Sequence, residues 1–192
     1  MAKTLYLMRH GQTQFNKLQK IQGACDSPLT QKGIDDAKKM GQLLKNKKIE
    51  FDHAYSSTQE RASDTLELVT DVPYKRLKGL KEWNFGVFEG ESERLNPKPD
   101  VKAGSYADFF VPYGGEDAID VQKRMNQTLT EIMEQPENKN ILAVSHGGAI
   151  HMFVLKWVKQ KHLHISNCAV LKFTYDKGVF TYQNTIEMNE ND

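Results

Sequence analysis

The sequence predicts an α/β fold, a three-layer αβα sandwich built on a mainly parallel (mixed) central sheet. Three observations carry that prediction. Strand-like and helix-like segments alternate almost throughout, the pattern of consecutive βα units. The run "NILAVS" (140–145) is nearly all apolar, as a central strand covered on both faces must be. The run "AVLKFTYDKGVFTYQ" places two β-rich stretches around Asp176-Lys177-Gly178 and reads as a hairpin.

The elements follow in order. "TLYLM" (4–8) is a first strand. In "LTQKGIDDAKKMGQLLKN", Ile34, Ala37, Gly41 and Leu44, with Met40, recur at helical spacing, and Thr30 is placed to cap the helix after Pro28. "FDHAYSS" (51–57) is a second strand. Ser57 and Glu60 then match the S-x-x-E capping box, opening a helix with Ala62, Leu66 and Val69 inward. "YKRLKGL" (74–80) is a third strand. "EDAIDVQKRMNQTLTEIME" is an amphipathic helix through Ala118, Val121, Met125, Leu129 and Ile132, stopped near Pro136. After "NILAVS" comes the helix "GAIHMFVLKWVKQ".

With 192 residues the chain is read as one domain, 1–192. Its one long irregular stretch, Glu91 to Gly115 with Pro97, Pro99 and Pro112, is expected to be a lid-like insertion. "EMNEND" is expected to be a frayed acidic tail. The formal net charge of +1 gives no global argument for nucleic acid or a membrane, so an anion site would have to be local. The two cysteines, Cys25 and Cys168, stand alone, without zinc or CxxC spacing, and read as reduced thiols. No apolar run approaches the roughly 20 residues that span a bilayer, and the first residues carry no signal-peptide pattern. A cytoplasmic protein, monomer or homodimer, is the simplest expectation.

Sites in parallel α/β sheets lie beyond the carboxyl ends of the strands. There the sequence delivers Arg9 and His10, then Ser57 and Arg61, then Glu82, then His146. Two of these ends share a pattern, "RHG" and "SHGG", in which glycine after histidine lets the backbone approach a ligand. Arg9 and Arg61 supply guanidinium forks for a phosphate dianion. Arg61 also lies near a helix N-terminus, which favours anions. Flanking cations disfavour imidazolium, so His10 would stay neutral and nucleophilic. Glu82 would protonate the leaving oxygen and then activate water, which calls for a raised pKa. His146 would add positive charge to the transferring phosphoryl oxygens. Two histidines and a carboxylate also suit a transition metal, but two arginines in the same pocket repel a cation, and no metal is expected.

These residues resemble the histidine phosphatase superfamily, in its phosphoglycerate-mutase-like branch. The matching motifs are "LMRHGQTQFN", "DSPLTQKG", "YSSTQERASDT", "LKEWNFGVFEG", "PYGGED" and "VSHGG", in the family's order from about residue 4 to residue 150. The resemblance implies a phosphohistidine at His10, phosphate contacts from Arg9, Asn16, Arg61 and His146, acid/base work by Glu82, and no metal. Gln22 and Ser57 are further candidate contacts; Gly11 and Gly147 would be shape residues.

The family contains mutases and phosphatases. Cofactor-dependent phosphoglycerate mutases carry an arginine directly after the acid and a tyrosine two residues later, where this chain has Trp83 and Phe85. They also carry an arginine pair in the following insertion, where this chain has only Arg94, Lys98 and Lys102. A phosphatase acting on small phosphate monoesters is therefore expected, with Trp83, Phe85, Phe88, Tyr106, Phe109 and Phe110 around the leaving group. The alternatives are a mutase, which would use bisphosphoglycerate as cofactor, and a non-catalytic module that binds phosphorylated ligands. His53, His151, His162 and His164 read as ordinary.

Overall fold

A computed structural model describes residues 3–158 and 163–188. Six strands form one sheet: β1 (Lys3–Arg9), β2 (His53–Ser57), β3 (Tyr74–Leu77), β4 (Asn140–Ser145), β5 (Val170–Asp176) and β6 (Val179–Ile186). Their order is β3-β2-β4-β1-β5-β6. The first four are parallel, and β5 and β6 run antiparallel at one side. The sheet is mixed, as expected. The β5–β6 turn places Lys177 and Gly178 at positive φ (47° and 84°), the two-residue geometry whose twist matches a hairpin.

Period-two side-chain alternation builds the layers. Along β1 and β4, Leu5, Leu7, Ile141 and Ala143 face one way, packing with Val121, Met125 and Leu129 of α4 (Ala118–Glu134) and Ile150 and Phe153 of α5 (Gly147–Trp157). Tyr6, Met8, Leu142 and Val144 face the other way. They meet Ala37, Met40 and Leu44 of α2 (Gln31–Asn46) and Ala62, Leu66 and Val69 of α3 (Glu60–Val69). A short helix, α1 (Gln14–Lys17), follows β1. Each fully buried aliphatic side chain contributes about 1.5–3 kcal/mol, so this two-faced pattern is what holds β1 and β4 at the centre.

Most local expectations match the fold. Thr30 caps α2 by accepting from the Gly33 N–H, and α4 stops just before Pro136. Four details differ. Gly33, not Ile34, joins the buried stripe of α2, and Ile34 is half-buried at its margin. Ser57 and Glu60 form no capping box: Gln59 is the N-cap of α3, Ser57 Oγ accepts the Gln59 N–H (3.2 Å), and the Glu60 carboxylate pairs with Arg76 (2.9 Å). The third strand stops at Leu77, and residues 78–80 form a 3-10 turn. The last helix ends at Trp157, with Val158 extended beyond it; residues 159 and 160 of the expected helix lie outside the described residues, as do His162 and most of the acidic tail.

The 91–115 insertion has short 3-10 turns at Glu93–Leu95 and Val111–Tyr113 and a bridge between Asp100 and Ser105. It is anchored by Phe110, fully buried, whose ring meets Phe85 (5.0 Å), Phe88 (5.5 Å) and Tyr106 (5.5 Å) edge-on. Trp83 is also core: its ring meets Phe110 and its Nε1–H donates to the Glu116 carbonyl (2.8 Å). A loop without period offers no face to read, so the sequence could not separate these core rings from pocket rings.

Candidate active site

β1 and β4 are neighbours, yet the chain leaves them in opposite directions: from β1 toward β2 on one side, and from β4 through α5 to β5 on the other. Their carboxyl ends form the switch-point crevice where ligands bind in such sheets. Arg9 pairs with Ser145 across this junction, and the His10 N–H donates to the Ser145 carbonyl (3.0 Å). His10 and His146 therefore emerge side by side, with ring centroids 5.1 Å apart.

His10 is buried, and its Nδ1 lies 2.7 Å from the Gly11 carbonyl oxygen. A carbonyl only accepts, so Nδ1 carries the hydrogen and Nε2 presents a lone pair. Burial first, then Arg61 and Arg9, hold the ring well below the ordinary histidine value of 6.5. The result is a neutral imidazole of fixed tautomer, a nucleophile ready at neutral pH.

Around it, four buried nitrogens have no hydrogen-bond partner within the protein: Arg9 Nε, Arg61 Nε, and both ring nitrogens of His146. Three of the four are donors, since a neutral His146 ring carries one N–H. Unpaired buried polar groups cost free energy, so their concentration beside one imidazole marks a place built for an acceptor-rich ligand. The rest of the Arg61 guanidinium is committed to protein. Arg61, fully buried, donates to the carbonyls of Gly23 and Cys25 and pairs with Asp26 (2.8 Å). Arg9 donates to the Ile165 carbonyl (2.8 Å). Among the described residues the expected full fork is thus reduced to Nε alone on Arg61, whereas Arg9 keeps Nε and Nη2 without a protein partner. His146 is likewise held well below 6.5, by burial, then Arg61 and His10. The resting ring is neutral and offers an N–H rather than the expected positive charge.

Glu82 sits against the N-terminus of α5. Oε1 accepts from the backbone N–H groups of Trp83 (2.8 Å) and Ala149 (2.7 Å), and Oε2 accepts from Gly148 (2.9 Å). The two glycines opening α5 are needed for this closeness. A Cβ at Gly148 would lie 2.8 Å from Glu82 Oε1, and one at Gly147 would lie 3.2 Å from Arg9 Nε.

Geometry and sequence comparison now agree on identity. The sequence profile described as "Histidine phosphatase superfamily (branch 1)" matches residues 5–187. The chain belongs to the histidine phosphatase superfamily.

Among its relatives, the Saccharomyces cerevisiae protein named broad-specificity phosphatase YOR283W is 34% identical over 171 residues, covering 82% of this chain and 71% of that protein. A Bacillus anthracis structure described as phosphoglycerate mutase superposes with a TM-score of 0.84 at 29% identity, over 95% of this chain and 92% of the other. An Entamoeba histolytica structure described as phosphoserine phosphatase in complex with 3-phosphoglyceric acid gives 0.79 at 31% identity, over 96% and 97%.

The superfamily site opens into a cavity of about 340 Å³ whose wall includes Arg9, His10, Asn16, Gln22, Glu82 and Gly147. Arg61 and His146, fully buried, stand behind that wall rather than on it. Ser57 is not on the wall; its hydroxyl holds Gln59. Gln22 is on the wall, but its amide is spent on Thr13 and Ser27. Of the six aromatic candidates only Phe85 and Tyr106 line the cavity. Trp83 and Phe110 are core, and Phe88 and Phe109 meet the Tyr113 ring instead, edge-on at 5.1 Å and tilted at 5.6 Å. Conversely, His151 and His164, read as ordinary, do line it. Among the described residues no group of three or more His, Cys, Asp or Glu is arranged to hold a metal, and no helix is long and apolar enough to cross a membrane.

Several supporting residues escaped the sequence reading. Arg124 of α4 donates to the carbonyls of Gly79, Lys81 and Glu82 and grips Glu116 through two nitrogens at 2.9 Å, fixing the segment that carries the acid. Gln59 accepts the Glu82 N–H (2.8 Å), and Asn167 donates to the His10 carbonyl (3.0 Å). Each lies far in sequence from the residue it serves. Asp26, inside the "DSPLTQKG" motif, and Gln59, inside "YSSTQERASDT", carried a local signal.

Proposed function

We propose that this protein is a phosphatase of small phosphate monoesters that works through a phosphohistidine on His10. The observation that carries the reading is the neutral His10 ring, with Nδ1–H tied to Gly11 and Nε2 free, beside four unpartnered buried nitrogens. Nε2 attacks phosphorus. The bond from phosphorus to the ester oxygen breaks, and that oxygen takes a proton from Glu82. Water then attacks the phosphohistidine, Glu82 accepts its proton, and phosphate leaves with His10 restored. Arg9, Arg61, Asn16 and His146 hold the phosphoryl oxygens, where transition-state charge spreads. No metal or other cofactor has a place in this sequence of steps, and the cytoplasm is the proposed location.

The yeast relative's name supports hydrolysis. A mutase remains the second reading, favoured by the description of the Bacillus anthracis structure. Against it, Arg94, Lys98 and Lys102 are all exposed and none lines the cavity, so the insertion brings no cation pair to a second acidic group. The test is an ester screen of wild type beside His10→Ala, with mass spectrometry of acid-free quenched mixtures. Expected are hydrolysis by wild type, loss of essentially all turnover in the variant, and a phosphoryl adduct on His10. An adduct elsewhere, or phosphoglycerate interconversion with negligible hydrolysis, would overturn the reading.

A further inference from the structure

The cavity wall carries two residues of opposite charge, Lys20 and Glu93. Lys20 follows α1 and bridges Ser92 on the insertion, and the Glu93 N–H donates to the Gln19 carbonyl (2.8 Å). These backbone bonds place Lys20 and Glu93 on one rim, and both line the 340 Å³ cavity. Among the described residues no ion pair within 4.0 Å joins either of them to a partner or to the other. The Lys20 ammonium lies over the face of Phe15, 5.6 Å from the ring centroid. Glu93 carries its charge toward the site: after Glu82 it is the strongest charge favouring the cationic form of Arg9, and it also raises the Tyr106 phenol.

A lone anion on the leaving group is attracted by Lys20 and repelled by Glu93; a lone cation meets the reverse. Only a leaving group bearing both charges satisfies both walls at once, and specificity of this kind comes from penalising the wrong charge as much as from attracting the right one. We propose that Lys20 and Glu93 are specificity-determining residues that select phosphate esters of zwitterionic alcohols, with the ammonium beside Glu93 and the carboxylate beside Lys20. This deepens the phosphatase reading and rests on it.

The experiment measures kcat/KM of wild type, Glu93→Gln and Lys20→Met on four esters: O-phosphoserine (both charges), phosphoethanolamine (cation), 3-phosphoglycerate (anion) and phenyl phosphate (neither). Each value is divided by that variant's own value on phenyl phosphate. Both substitutions are on the partly exposed rim, outside the core. Expected is a crossed pattern. Wild type ranks O-phosphoserine above both singly charged esters. Glu93→Gln loses about 5- to 30-fold on O-phosphoserine and phosphoethanolamine only, and Lys20→Met loses similarly on O-phosphoserine and 3-phosphoglycerate only. Hydrolysis of phenyl phosphate with no preference for the zwitterion, or equal losses on all charged esters in both variants, overturns the inference while sparing the phosphatase reading. Failure to hydrolyse any of the four overturns both.

Discussion

The imidazoles of His10 and His146 stand 5.1 Å apart, inclined at 56°, at the ends of adjacent parallel strands. Both are fully buried or nearly so, and both are held neutral well below 6.5. Two like rings this close, with arginines behind them, cannot both charge cheaply. Protonation of the pair is therefore coupled to the folded state itself.

That coupling has a direction. The folded-state values are depressed, so below 6.5 the unfolded chain binds more protons than the native one, and stability rises with pH across that window. The stability is fully present above 6.5 and is lost as pH falls toward the folded values. Each histidine contributes a loss of up to about 1.4 kcal/mol per pH unit below 6.5. Urea unfolding at pH 7.5, 6.5 and 5.5 should show the midpoint falling in the last interval. A His10→Gln/His146→Gln double variant should flatten that slope; an equal slope in the variant would refute the assignment.

Gly148→Ala should separate binding from chemistry. Its Cβ would press on Glu82 Oε1 from 2.8 Å, displacing the carboxylate or the first turn of α5. A shift near 1 Å in a reacting group costs on the order of 100-fold in rate. The expected result is a fall in kcat of about that size with KM changed little, measured on a chromogenic aryl phosphate. An unaltered kcat would show that Glu82 is not the proton carrier.

Arg124→Ala should destabilise the protein without touching the cavity wall. The change orphans three carbonyls and leaves Glu116 without its cation. Because both side chains are partly exposed, a loss of about 2–4 kcal/mol is expected in chemical denaturation. Arg124→Lys should restore only part of it, since one ammonium cannot span the sites the guanidinium fork reaches.

Chelation tests the metal-free chemistry. Activity after dialysis against EDTA should equal that of untreated protein, and added zinc should not raise it. Loss on chelation, recovered with zinc, would require a different mechanism.

The recognisable part of the site was local in the chain. "RHG" and "SHGG" put a histidine at a strand end with a glycine beside it, and "KEW" put the acid after a third strand. Helical periodicity marked the buried face of α4, and the nearly all-apolar run of β4 marked a strand covered on both faces. Where local patterns competed with distant partners, the distant partner won. The capping motif at Ser57 failed because Arg76 holds Glu60 and Gln59 takes the cap. The aromatic residues divided between core and wall only once Phe110 had found its neighbours.

The amino-acid order by itself determined the sandwich, the mixed sheet and the residues that gather at the strand ends, because period and strand-end position are properties of short segments. Tertiary structure alone decided the tautomer of His10, which nitrogens of Arg9 and Arg61 stay free, and the meeting of Lys20 with Glu93 on one rim. Those depend on hydrogen-bond partners and charges brought together from segments far apart in the chain, and no local pattern encodes such a meeting.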